Sequence, residues 1–223
     1  MRCFVVIAAF NEAGRVGEVV REVRARYADV IVVDDGSIDA TAAEAREAGA
    51  IVLSHAINRG QGAALQTGID YALGHGAEAF VTFDADGQHR PEDIDALLAP
   101  VRDRGFDVAL GSRFLHGNSN IPPMRKLTLR LGVLFTRWVS GIRVTDTHNG
   151  LRAFSRESAA RIAIRQDRMA HASEILDTIA RCRMRYCEVP TDVRYTTHSL
   201  RKGQRSSAAF RIALDFLLGR WEG

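Results

Sequence analysis

Asp84 and Asp86, in Asp84-Ala85-Asp86-Gly87-Gln88-His89, follow directly on the apolar run Ala79-Phe80-Val81-Thr82-Phe83. Residues i and i+2 of a strand share a face, so two carboxylates are set to emerge together at the tip of a buried strand. Hard divalent cations such as Mg²⁺ or Mn²⁺ bind through one or two carboxylates and keep positions free for substrate phosphates. The pair, with Gln88 beside it, predicts a metal site that holds a diphosphate. Acidic pairs also end ordinary solvated turns, so the spacing acquires meaning only from the elements around it.

Those elements alternate. Cys3–Ala9, Val30–Val33, Ile51–Ser54, Ala79–Phe83 and Val108–Leu110 read as strands, separated by amphipathic stretches at Gly14–Tyr27, Ile38–Ala48, Gly62–Leu73 and Pro91–Arg104. The strands are continuous apolar runs, as expected of a parallel sheet buried on both faces. Ligands of such sheets lie beyond the carboxyl ends of the strands, which makes the residues just after each strand informative. They are Phe10-Asn11-Glu12, Asp34-Asp35-Gly36-Ser37-Ile38-Asp39, Asn58-Arg59-Gly60-Gln61-Gly62, the acidic pair, and Gly111-Ser112-Arg113. Ser37 or Asp39 can cap the following helix, and Gly60 and Gly62 permit close backbone approach to an anion.

Taken in order, Ile7-Ala8-Ala9-Phe10-Asn11-Glu12, Val32-Val33-Asp34-Asp35-Gly36-Ser37, Asn58-Arg59-Gly60-Gln61-Gly62, Asp84-Ala85-Asp86-Gly87-Gln88 and Gly111-Ser112-Arg113 resemble the family 2 glycosyltransferases with a GT-A fold, and among them the dolichol-phosphate mannosyltransferase-like enzymes. Asp146-Thr147-His148-Asn149-Gly150-Leu151-Arg152-Ala153-Phe154 is similar to that group's Asp-Thr-Gln-x-Gly-x-Arg element, and the resemblance covers roughly residues 1–200. It implies a Rossmann-like, mainly parallel sheet with helices on both faces, and inverting transfer of a hexose from a nucleotide diphosphate sugar with Mg²⁺ or Mn²⁺. GDP-mannose is the first donor it implies, with a UDP-hexose as alternative. The implied nucleotide set is Ala8, Phe10, Asn11, Glu12, Asp34, Asp35, Gly60, Gly62, Asp84 and Ala85, with Asp84, Asp86 and Gln88 at the metal. Which of Asp34 and Asp35 meets the base stays open. Ala8 stands where the family often has proline and His148 where it often has glutamine.

Charge separates along the chain. Residues 1–110 carry 10 lysines and arginines against 18 aspartates and glutamates, a net −8, whereas residues 111–223 carry 20 against 9, a net +11. An acidic half can recruit a cation, and a basic half can meet an anionic acceptor or membrane surface. Arg113, Arg125, Arg194, Arg201 and Lys202 are the expected acceptor-phosphate contacts, with Thr128 as a hydroxyl donor. A polyprenyl phosphate arrives largely dianionic, since its second pKa lies near 6, and needs no general base. A saccharide hydroxyl does, and Asp146 and Glu174 are the carboxylates available. Arg152 completes the expected catalytic set.

Arg125–Ile142 carries Leu127, Leu131, Leu134, Phe135 and Trp138, and Phe210–Trp221 carries a second apolar stripe behind a basic stretch. Both are suited to lying flat on an anionic bilayer. No cationic segment followed by an apolar core opens the sequence, and no apolar run reaches the roughly 18 residues of a membrane span. A cytoplasmic enzyme, peripheral on the inner face of the membrane, is expected, with one catalytic domain at 1–200 and a basic amphipathic segment at 201–223. Cys3, Cys182 and Cys187 are odd in number and read as reduced thiols.

Two other classes fit less well. A Rossmann oxidoreductase needs a Gly-x-Gly-x-x-Gly turn after the first strand, where Ala8–Glu12 stands. A non-catalytic nucleotide-binding module would not need the acidic pair with Gln88. Nucleic acid is not an expected partner, because aromatic residues make up only 7% of the chain and no stacking platform is evident.

Overall fold

A computed structural model of the chain describes residues 1–115, 123–166 and 171–194, without the side chains of residues 123–129 and 135. The expected basic segment at 201–223, with Arg201 and Lys202, lies outside the described residues, as do the side chains of Arg125 and Thr128.

The elements run β1 (Cys3–Ala9), α1 (Val16–Arg24), β2 (Asp29–Asp34), α2 (Thr41–Glu47), β3 (Ile51–Ser54), α3 (Gln61–Gly74), β4 (Ala79–Asp84), α4 (Glu92–Asp103), β5 (Val108–Ser112), α5 (Pro123–Ser140), β6 (Arg152–Ser155), α6 (Arg156–Ala159), α7 (His171–Arg181) and β7 (Tyr186–Pro190). The strands form one sheet in the order β3-β2-β1-β4-β6-β5-β7. Apolar clusters cover both faces. On one, the Val16, Val19, Val20 and Val23 stripe of α1 packs with Ile94 and Leu97 of α4. On the other, Leu65 and Ile69 of α3 pack with Ile175, Leu176 and Ile179 of α7. The strand interiors are sealed between these layers, which is why their sequences show no polar alternation.

Two features of the topology place the site. β1 pairs in parallel with both β2 and β4, so the order of strands reverses at β1 and a crevice opens beyond the Ala8–Ala9 end, next to Asp84. β6 runs antiparallel to both β4 and β5, pairing Arg152 with Thr82 and with Leu110. An antiparallel strand begins where its neighbours end, so this reversal carries the 146–152 loop to the rim that holds the acidic pair.

α1 and α2 are shorter than their sequence periodicity predicts. Gly14 turns with φ +79° and its amide donates to the Glu44 carboxylate at 2.7 Å, which delays the start of α1. Ahead of α2, Asp39 accepts from the Thr41 amide at 3.0 Å, whereas the Ser37 hydroxyl accepts from the Asn11 amide at 2.9 Å. Of the two expected caps, Asp39 serves the helix and Ser37 ties two loops together.

Gly62, expected to approach an anion, instead packs α3 against the loop before α7. A Cβ there would press on the Gln166 carbonyl and stand 3.0 Å from the His171 Cβ. Gly62→Ala should therefore destabilise the protein by about 1–3 kcal/mol, the usual cost of overpacking. Urea denaturation checks this, and an unchanged midpoint would contradict it.

A candidate active site at the carboxyl rim

A cleft of about 450 Å³ opens at the rim, lined from β1, β2, β4, the α3 N-terminus, the 146–152 loop and α7. Its two ends differ in chemistry.

At the first end, Ala8, Ala9 and Phe10 of β1 meet Asp35, Asn58 and Gly60. Asp35 is 2% exposed. It accepts from the Arg59 amide at 2.9 Å, the Gly60 amide at 2.6 Å and His55 Nδ1 at 2.7 Å, while His55 Nε2 lies 2.9 Å from the Thr67 hydroxyl. Gly60 makes this wrap possible by adopting φ +99°. Asp35 thus faces the cleft, and Asp34 does not line it: the Asp34 carboxylate accepts the Ser37 amide at 3.1 Å and shapes the turn. Asn11 is also absent from the lining. Its side-chain oxygen accepts the Ile38 amide at 3.1 Å, so it clasps the loops after β1 and β2.

The middle of the cleft holds Asp84, Ala85, Asp86, Gln88 and His89, with Glu12 and Gln61 nearby. Asp84 pairs with His89 Nε2 at 2.9 Å and accepts from Gln61 Nε2 at 3.2 Å. A carboxylate only accepts, so the His89 proton sits on Nε2, and His89 Nδ1 is buried with no partner among the described residues. Asp86 accepts from the Gln88 amide at 3.0 Å and from Gln88 Nε2 at 2.6 Å. Gln88 therefore steadies Asp86 through its nitrogen atoms. Gly150 backs directly onto the Asp84 carboxylate, leaving no room for a Cβ.

The electrostatics of the two aspartates diverge. At Asp84, burial pushes the pKa up, but the hydrogen bond and charge of His89, helped by His171 and Arg152, outweigh it and hold the group below the ordinary range. At Asp86, burial and the Asp84 charge, with a smaller push from Glu12, raise the pKa against the Gln88 amide and His89. One carboxylate is stably ionised, and the other carries a charge its surroundings resist. Among the described residues, no three His, Cys, Asp or Glu side chains form a ready-made metal cage.

The second end is cationic. Arg113, His148, Asn149, Gly150, Arg152 and His171 line it. Asp146, expected as a base, is 4% exposed and lies behind this wall. Its carboxylate takes Arg113 Nε at 2.6 Å, the Arg113 amide at 3.2 Å and the His148 amide at 3.2 Å. Glu188 braces the loop from below, accepting the Thr145 amide at 2.7 Å and the Asp146 amide at 3.3 Å. Arg152 donates to the Asn149 and Thr147 carbonyls at 3.1 and 3.3 Å. Burial pulls its pKa down to about 10 against the opposing pull of Asp146 and Asp84, which leaves it charged at neutral pH. Burial, with Arg113 and Arg152, also lowers the His148 pKa against Asp146.

Two expected residues stand away from the cleft. Glu174 is occupied by the Arg165 amide at 3.0 Å and the Gln166 amide at 3.0 Å, fastening a loop to the first turn of α7. The Arg194 side chain is exposed, and its amide donates to the Gln88 carbonyl at 2.9 Å. Sequence reasoning did not single out His55, Thr67, Gln61, His89 or His171. His89 was signalled by its place one residue after Gln88, while His171 reaches the cleft from a distant helix without a local signal.

The sequence model of Glycosyl transferase family 2 matches residues 4–163. The chain is 32% identical to a UDP-N-acetylglucosamine–dolichyl-phosphate N-acetylglucosaminyltransferase of Methanococcus voltae, over 96% of this chain and 94% of that one. It is 31% identical to an undecaprenyl-phosphate mannosyltransferase of Micrococcus luteus, over 100% and 97% of the two chains. It is 30% identical to a polyprenol monophosphomannose synthase of Mycolicibacterium smegmatis, over 99% and 86%. The fold superposes with a TM-score of 0.71 on glucosyl-3-phosphoglycerate synthase of Mycobacterium tuberculosis, crystallised with Mn²⁺, UDP-glucose and phosphoglyceric acid, at 20% identity over 98% of this chain and 79% of that one. With a GT-A fold and these relatives, the chain belongs to glycosyl transferase family 2 and is a glycosyltransferase.

Proposed function

We propose that the protein transfers a hexose, with inversion, from a nucleoside diphosphate sugar to polyprenyl phosphate. The observation that carries this reading is the polarity of one cleft, with Asp84 and Asp86 at its middle and the guanidinium-bearing Arg113 and Arg152 in its far wall. Anionic groups on both reactants can then meet without mutual repulsion dominating.

The state of the two candidate bases, Asp146 behind the cationic wall and Glu174 away from the cleft, supports this acceptor. Asp146 and Glu174 both have their oxygens committed to hydrogen bonds. A sugar hydroxyl would need one of them as base, whereas a phosphate dianion is already nucleophilic. In the proposed step an acceptor phosphate oxygen attacks the sugar C1 from the face opposite the leaving group. The new C1–O bond forms as the bond to the donor diphosphate breaks, and the diphosphate leaves with the electron pair. Arg113 and Arg152 hold the acceptor dianion at its approach. The relatives named for dolichyl, polyprenol and undecaprenyl phosphates support this acceptor, and their names divide the sugar between mannose and N-acetylglucosamine.

Asp84 and Asp86 fit a divalent cation, because burial and then the neighbouring Asp84 charge raise the Asp86 pKa, and such an ion would offset both by favouring the ionised pair. Mg²⁺ or Mn²⁺ bound there would stabilise the charge growing on the leaving diphosphate. Phe10, 43% exposed at the cleft, offers a face for the base. The direct test supplies a panel of nucleotide sugars with polyprenyl phosphate added or withheld and measures release of nucleoside diphosphate. Release that rises on adding the lipid is expected, and release indifferent to it contradicts the acceptor assignment.

Attachment to the bilayer surface completes the reading. On α5, Leu131, Leu134 and Trp138 are 57%, 59% and 82% exposed and share one helical face. No helix among the described residues is long and apolar enough to cross a membrane, so this face is suited to lying in the interface. Replacing all three by serine should lower co-sedimentation with anionic liposomes about 10-fold or more, since each buried large apolar side chain contributes roughly 1.5–3 kcal/mol. Unchanged binding would return α5 to an ordinary surface helix.

A further inference from the structure

The contacts around Asp35 restrict which base the cleft can read. This rests on the nucleotide-sugar reading and goes beyond it, because it concerns the chemical identity of the nucleoside. A carboxylate offers about four lone-pair positions. Oδ1 of Asp35 already accepts from His55 Nδ1 and from the Arg59 amide, and Oδ2 accepts from the Gly60 amide. His55 cannot swing away freely, since its other ring nitrogen is tied to Thr67 at 2.9 Å and its side chain is only 10% exposed. Because Asp35 can only accept, His55 Nδ1 must carry the proton whatever the state of the rest of the ring. One acceptor position is left, on Oδ2.

Guanine presents N1–H and the 2-amino group as a two-pronged donor that a carboxylate meets with both oxygens. Here Oδ1 is full, and one guanine N–H would be buried against an oxygen with no capacity for it. Uracil presents a single N3–H between two carbonyls, and Asn58, exposed on the same wall, carries an amide suited to one of those carbonyls. We propose that His55, anchored by Thr67, acts through Asp35 as a specificity-determining residue that selects a uridine over a guanosine nucleotide. The assignment departs from the GDP-linked donor that the family resemblance put first and falls on its alternative, a UDP-hexose.

Calorimetric titration of UDP and GDP, each with Mn²⁺ and with chelator, tests this on the wild-type protein and on His55→Ala and Thr67→Val. The wild type should bind UDP at least about 10-fold more tightly than GDP, the usual consequence of leaving one buried N–H unsatisfied. Removing the His55 donor frees Oδ1, so His55→Ala should bring the two affinities to within about 3-fold of each other, with Thr67→Val intermediate. A role confined to fold stability would weaken both nucleotides equally and leave the ratio unchanged, which would overturn the proposal for His55. GDP binding as tightly as UDP to the wild type would overturn the base assignment while leaving the glycosyl donor a nucleotide sugar. Binding of neither would sink both readings.

Discussion

Asp86→Asn is expected to cut transfer by on the order of 10³-fold while raising the melting temperature of the metal-free protein. The first effect follows from removing a carboxylate from the proposed cation and diphosphate position. The second follows from the direction of the Asp86 pKa, which burial and the neighbouring Asp84 charge push up. A carboxyl whose pKa is raised by folding stabilises the fold while protonated, below its unfolded pKa, and that contribution is lost as pH rises through the folded value. At neutral pH the ionised Asp86 is therefore a net cost to the metal-free fold. Asparagine removes the charge, and the Gln88 side chain can turn its amide over to keep two hydrogen bonds. Adding Mn²⁺ should reverse the order, stabilising the wild type and leaving the variant unmoved. Thermal melts with and without Mn²⁺, beside steady-state rates, check all three statements. A variant with near-normal turnover, or one that Mn²⁺ stabilises as much as it does the wild type, would remove the cation from this site.

Asp146→Ala should destabilise the protein by about 3–5 kcal/mol, the usual result of removing one member of a buried ion pair. The Arg113 and Asp146 side chains are 8% and 1% exposed and meet at 2.6 Å. Without Asp146, the Arg113 guanidinium loses its carboxylate in a place water scarcely reaches, and the His148 amide loses its acceptor. The double variant Arg113→Met/Asp146→Ala should recover a large part of the stability, because the charge is then gone, yet it should remain poor in transfer. Chemical denaturation of the single and double variants measures the coupling. If Asp146→Ala instead keeps its stability and loses only turnover, Asp146 is a base after all and the phosphate-acceptor argument weakens.

The first half of the chain was legible because its signals are local. Buried parallel strands are unbroken apolar runs, and β1, β2, β3 and β4 begin and end within a residue of where their sequences place them. The acidic pair was readable only in part: β4 ends at Asp84 as its apolar run suggests, whereas Asp86 is set by the turn that follows and not by strand alternation. What escaped depends on contacts distant in sequence. Asp34 and Asp35 are adjacent and chemically identical, and only the wrap of Arg59, Gly60 and His55 around one of them decides which faces the cleft. Gly62 reads as an anion turn until the Gln166 carbonyl is seen against it. Glu174 and Asp146 read as available bases until their hydrogen bonds are drawn. Arg152 was named from its motif, but its place depends on β6 running antiparallel between β4 and β5, a reversal that composition does not reveal.

The most direct test of the central claim is the identity of the product. Purified protein, a nucleotide sugar of α configuration, Mn²⁺ and polyprenyl phosphate are incubated together, and the lipid fraction is examined by mass spectrometry and by NMR of the anomeric centre. A single hexosyl phosphate lipid in the β configuration, formed in step with nucleoside diphosphate, is the predicted result. An α-linked product, or nucleotide release with no sugar on the lipid, would contradict it.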